Sequence, residues 1–175
     1  KMIKKVLLIL LISLGFISCK KEVVNETYKE QALQVTYIKA YTYSELKPLL
    51  EKNDGKTYIV NFWATWCAPC VKELPYFEKI NQDYSDKNVE VLLVSLDFPK
   101  QVEKKLIPFI NKRKLKSEVV LLDDMNEDIW IKSIDINWSG AIPATLIYNK
   151  NKRKFYEQSF DYKTLEIELN TFLNP

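Results

Sequence analysis

The chain has 175 residues, of which 26 are basic and 23 acidic, and it contains no histidine. That balance excludes the concentrated positive surface that nucleic-acid binding demands, and the missing imidazoles remove a common zinc ligand. Hydrophobic residues make up 47% of the chain and there are only three glycines, a globular composition without repeats, phosphate loops or low-complexity tracts.

Lys1, Lys4 and Lys5 precede an apolar run from Val6 to Ile17, broken only by Ser13 and Gly15. About a dozen apolar residues fall short of the roughly 20 that a spanning helix needs, so residues 1–18 read as a signal peptide. Phe16-Ile17-Ser18-Cys19 resembles a bacterial lipobox, which implies cleavage before Cys19 and diacylation of its thiol. An ordinary secretory signal or an uncleaved anchor is the alternative. Without the leader's three lysines the formal charges are 23 against 23. Residues 19–33 are polar and lack strong periodicity; they read as a lipidated tether that can extend at most about 50 Å.

Residues 34–175 read as one domain. Val35 and Tyr37, with Ala40, suggest an opening strand. Thr42 and Glu45 form a capping-box pattern before a short helix that ends near Lys52, with Pro48 shortening or kinking it. Tyr58 to Trp63 is a buried strand, announced by the turn residues Asn53-Asp54-Gly55. A helix then starts at Cys67 and Cys70: Pro69 suits a first turn, and Leu74, Phe77, Ile80 and Tyr84 recur at three- and four-residue steps. Val89 to Leu96 is almost continuous Val and Leu, the pattern of a parallel strand buried on both faces. Further elements follow: a helix over Gln101–Lys114 with Leu106, Ile110 and Leu115 inward and Pro108 inside it, a strand over Val119–Leu122, and a helix over Met125–Ser133. Strands over Thr145–Tyr148 and Lys154–Phe160 flank the turn Asn149-Lys150-Asn151, and Leu165, Leu169 and Phe172 mark a closing helix. The basic run Asn111–Lys116 reads as a solvated helix end, and Asp123–Asp128 as a helix cap, since it lacks the spacing of a calcium loop. This alternation predicts an α/β domain with helices on both faces of the sheet.

Two thiols two residues apart at a strand-to-helix turn can close a small disulfide ring, and the first lies where the helix dipole favours a thiolate. Two other readings exist. Structural zinc needs about four ligands, and the chain offers one further cysteine and no histidine. A purely structural disulfide in so small a ring restrains little chain.

Asn61-Phe62-Trp63-Ala64-Thr65-Trp66-Cys67-Ala68-Pro69-Cys70, followed by Glu73 and Pro75, resembles the thioredoxin superfamily, and within it the membrane-tethered TlpA/ResA group. Gly140-Ala141-Ile142-Pro143-Ala144-Thr145 resembles the family's cis-proline segment. The resemblance implies a thioredoxin-like fold, a mixed sheet between two layers of helices, and an envelope-facing thiol:disulfide oxidoreductase acting on protein disulfides, most naturally as a reductant. Cys67 would attack and Cys70 would resolve. Trp66, Ala68, Pro69, Ile142 and Pro143 would border the substrate, with Pro143 in cis preventing metal capture. Asn61 stands where thioredoxin carries an aspartate, and Glu73 matches an acid of the tethered group, although a solvated first-turn glutamate is the alternative. No cofactor beyond the Cys67–Cys70 disulfide and no metal is expected. Implied partners are protein disulfides, a membrane electron donor such as a transmembrane thiol reductase, and the membrane itself through Cys19. An oxidase or isomerase, a copper carrier and a redox-inert binding lipoprotein are the competing functions. A thiol peroxidase would need a Pro-x-x-x-Thr-x-x-Cys setting that neither cysteine has.

Overall fold

The computed structural model describes residues 34–174. The leader, Cys19 and the tether therefore lie outside the described residues. Six strands are present: β1 (Lys39–Tyr41), β2 (Thr57–Trp63), β3 (Val89–Ser95), β4 (Glu118–Leu122), β5 (Ala144–Tyr148) and β6 (Arg153–Tyr156). They form one mixed sheet in the order β1-β4-β3-β2-β5-β6, parallel from β1 to β2 and antiparallel from β2 to β6. Five α-helices flank it: α1 (Tyr43–Leu46), α2 (Ala68–Asp83), α3 (Ile107–Arg113), α4 (Glu127–Ile134) and α5 (Tyr162–Leu173). Among the described residues no helix is long and apolar enough to cross a membrane.

The two-residue period of β2 divides its side chains between two cores. Ile59 and Trp63 join Leu74, Phe77 and Ile80 of α2, Leu106 and Ile110 around α3, and Leu165, Leu169 and Phe172 of α5. Tyr58, Val60 and Phe62 join Leu46 and Leu50 beside α1, Trp130 and Ile134 of α4, and Trp138. Asn61 shares the parity of Ile59 and Trp63, so a polar amide stands in the apolar layer beneath α2.

Local chemistry moves several element boundaries away from the sequence expectations. The first strand forms later than Val35–Tyr37, because Asn111 takes both backbone groups of Val35 at 2.8 Å and leaves Tyr37 exposed. Asn111 is thus a structural clamp rather than part of a solvated basic run. Thr42 and Glu45 do form the capping box, but α1 lasts only to Leu46 and passes into a 3₁₀ turn, Lys47–Leu50, that carries Pro48 in its first positions. The helix expected over Gln101–Lys114 is three pieces: a 3₁₀ turn, a π turn over Val102–Leu106, and α3. Pro108 has no N–H to give an α-helical ladder, and the Ile107 N–H reaches back five residues to the Val102 carbonyl. Helix α4 starts at Glu127 and leaves Met125 in solvent; Asp124 accepts the N–H groups of Asn126 (2.9 Å) and Tyr43 (3.0 Å), joining this segment to α1. Strand β6 ends at Tyr156 rather than Phe160, since Glu157 turns to the Ser139 N–H at 3.0 Å and Phe160 to a carboxylate on α2.

Candidate active site

Strands β2 and β3 run parallel and pair Trp63 with Ser95, so the residues just past their ends are neighbours. Asp97, almost fully buried, uses this proximity. Its carboxylate accepts the Thr65 N–H (3.0 Å) and hydroxyl (2.5 Å) and the Ser95 hydroxyl (2.9 Å). Together with the Leu96 N–H on the Trp63 carbonyl at 2.7 Å, these bonds fix the two-residue loop that delivers Trp66 and Cys67.

Cys67 is the N-cap of α2 and keeps an extended backbone while its sulfur accepts the Cys70 N–H at 3.3 Å. Cap geometry and the Pro69 first turn start the helix here, as the sequence implied. Cys67 and Cys70 form a disulfide with Cα atoms 5.3 Å apart. Cys70 is inaccessible, whereas Cys67 retains a small exposed surface and Ala68 and Pro69 beside it are exposed. The Ile142–Pro143 peptide is cis, and the Ile142 carbonyl oxygen stands 3.8 Å from Cys67 Sγ. Pro143 is buried directly before β5, and Trp66 stands over half exposed at the opening.

Glu73 is not the solvated first-turn glutamate. It lies one turn beyond Cys70 on the buried stripe of α2 and is 1% exposed. One oxygen accepts Asn61 Nδ2 at 2.9 Å and the other the Phe160 N–H at 2.8 Å. Burial pushes its carboxyl up to about 7, against the opposing pull of these two N–H donors. Asn61 Nδ2 also lies 3.2 Å from Thr145 Oγ1, while its Oδ1 is buried with no partner among the described residues. Asn61, Glu73 and the dithiol are therefore brought together by β2 and α2, and Ile142 and Pro143 by the approach to β5. Asp97 and Phe160 were missed by sequence reasoning. The first was legible only after pairing β2 with β3, and the second contributes only a backbone N–H.

A mixed sheet in this order, a disulfide at the start of the helix after β2, and a cis-proline facing it define a thioredoxin-like protein with an active-site dithiol. The chain belongs to the AhpC/TSA family, whose profile matches residues 24–153. It is 32% identical over 122 residues to the thiol-disulfide oxidoreductase ResA of Bacillus anthracis, a match spanning 70% of this chain and 62% of that protein. It is 35% identical over 80 residues to the thioredoxin-like protein YneN of Bacillus subtilis, spanning 46% of each. Among solved structures, StoA from Bacillus subtilis superposes with a TM-score of 0.51 at 28% identity, covering 66% of this chain and 83% of that one. The thioredoxin domain of a thiol-disulfide oxidoreductase from Bacteroides vulgatus gives 0.54 at 26% identity, covering 69% and 81%.

Proposed function

We propose that this protein is a thiol:disulfide oxidoreductase of the bacterial cell envelope that reduces disulfides of protein substrates. The observation that carries the reading is the Cys67–Cys70 pair capping α2 beneath cis-Pro143. In the dithiol form, the Cys67 thiolate attacks one sulfur of the substrate disulfide and expels the other as a thiolate. The helix terminus lowers the cost of that charge. Cys70 then loses its proton and attacks Cys67 Sγ. The second substrate thiolate leaves, two electrons have passed to the substrate, and the enzyme is left in the disulfide form.

Glu73, on the same buried stripe as Cys70, takes the Cys70 proton in that resolving step. A carboxyl that titrates near neutrality can hold or release it at working pH. Asn61, which stands where thioredoxin carries an aspartate, orients Glu73 through the 2.9 Å bond, and Glu73 supplies the relay. Trp66, Ala68 and Pro69 border the substrate on one side; Ile142, through its backbone, and Pro143 do so on the other.

The apolar leader and the lipobox-like Phe16-Ile17-Ser18-Cys19 support activity outside the cytoplasm. Cys19 carries the lipid in this proposal, and residues 19–33 tether the domain. Because the envelope is oxidising, a membrane thiol reductase must return the two electrons. The test is thiol release from a disulfide-bonded protein by the reduced enzyme. Cys67→Ser should abolish release and Cys70→Ser should stall as a mixed disulfide; undiminished activity in Cys67→Ser overturns the proposal.

A further inference from the structure

Beside the dithiol, a groove of about 600 Å³ runs between the loop after β3, the segment before α4 and the cis-proline approach. It shares Trp66 and Ile142 with the active site, and Ile142 places its carbonyl 3.8 Å from Cys67 Sγ. The groove thus opens directly beside the sulfur that a substrate cysteine must reach. Its wall carries large apolar side chains left in water: Trp66 is 56% exposed, Phe98 61% and Met125 96%.

The charge of the groove is one-sided. Asp97, Asp123, Asp124 and Glu127 line it, and no lysine or arginine does. Asp97 is committed to Thr65 and Ser95, and Asp124 to the N–H groups of Tyr43 and Asn126. Asp123 and Glu127 expose carboxylates with no ion pair or side-chain hydrogen bond among the described residues. The dipole of α4 accounts for Glu127 in its first turn but not for Asp123, which precedes the helix, nor for the absence of cations. By contrast, the groove between α2 and α3 carries both signs, with Glu78 and Asp83 beside Lys79, Arg113, Lys114 and Lys116.

We propose that the groove beside the dithiol is a specificity subsite for extended, unfolded polypeptide that carries a lysine or arginine next to an apolar residue within a few positions of the target cysteine. The inference rests on the oxidoreductase reading and adds a substrate class to it. The apolar residue packs against Phe98 and Met125, while the cation lies between Asp123 and Glu127. Exposed charge pairs each contribute modestly, so selection appears as a rate ratio and not as tight binding.

The test uses two peptides that differ only in Lys or Glu beside a phenylalanine, each prepared with a cysteine in a disulfide and with serine in its place. Reduced enzyme should reduce the Lys disulfide about tenfold faster than the Glu disulfide at low salt. The ratio should fall toward one in 0.5 M NaCl and in Asp123→Asn/Glu127→Gln. A ratio taken within one preparation does not depend on how much of the variant is folded. Separately, the serine peptides are titrated into the oxidised enzyme carrying ¹³C-methyl methionine; the chain's methionines are Met2 and Met125, so Met125 reports directly on the groove. The Lys peptide should shift the Met125 resonance more than the Glu peptide does. Equal rates for the two disulfides in wild type, or a Met125 resonance unmoved by the Lys peptide, overturns the subsite. A Lys-selective Met125 shift without any exchange supports the groove and refutes the oxidoreductase reading instead.

Discussion

Replacing Glu73 by Gln isolates the most unusual electrostatic feature of the site. In the folded protein burial raises this carboxyl from 4.5 to about 7. Between those values the folded state holds the proton and the unfolded state has lost it, so the contribution to stability is fully present below about pH 4.5. It is lost as pH rises through about 7. At about 1.4 kcal/mol for each pH unit between the two values, the loss amounts to about 3 kcal/mol. Gln does not titrate. Its amide keeps one acceptor oxygen where the carboxylate had two, so its NH2 faces either Asn61 Nδ2 or the Phe160 N–H, which adds an offset that pH does not change. The assay is urea denaturation of the oxidised wild type and Glu73→Gln from pH 4.5 to 8, with both cysteines locked in the disulfide so that neither titrates. The stability difference should swing by about 3 kcal/mol in favour of Gln as pH rises, or about 9 °C in Tm. A difference that stays constant across this range refutes the buried, proton-holding Glu73.

Three further outcomes follow from the same contacts. Asn61→Asp puts a second carboxylate within hydrogen-bond distance of Glu73 Oε1, and two buried carboxylates cannot both ionise cheaply; denaturation should show a loss of at least about 2 kcal/mol at pH 8 and little change at pH 5. Asp97→Asn replaces one of two acceptor oxygens by an NH2, which then faces either the Thr65 hydroxyl or the Thr65 N–H and Ser95 hydroxyl, and should cost about 1–3 kcal/mol by urea denaturation while leaving the pH swing assigned to Glu73 intact. Phe77→Ala, at a fully buried position where α2 meets the sheet, should cost about 3–5 kcal/mol, read as a lower denaturation midpoint.

The dithiol segment was legible in the sequence because everything needed to build it is local: an apolar strand, a cap, Pro69 and a helical stripe. Glu73 lies three residues after Cys70 and four before Phe77, on the buried spacing; the resemblance singled it out, while its burial depends on the distant Phe160 and Asn61 that bond it. Pro108 reshapes the turns before it, which breaks the long helix that the period of Gln101–Lys114 suggests, and β6 is shorter than its pattern because Glu157 and the Phe160 N–H find partners elsewhere. Asp97 needed the β2–β3 register, and the acidic groove needed three separate loops brought together. Such features depend on contacts between residues far apart in the chain, and no local period encodes them.

The central claim is that Cys67 and Cys70 pass two electrons to a protein disulfide through a mixed disulfide on Cys67. Its most direct test is the mass spectrum of reduced Cys70→Ser after incubation with a disulfide-bonded protein substrate. The account predicts a covalent adduct of one substrate chain on Cys67, released by dithiothreitol and absent from Cys67→Ser. No adduct on Cys70→Ser, under conditions in which wild type reduces the same substrate, would contradict it.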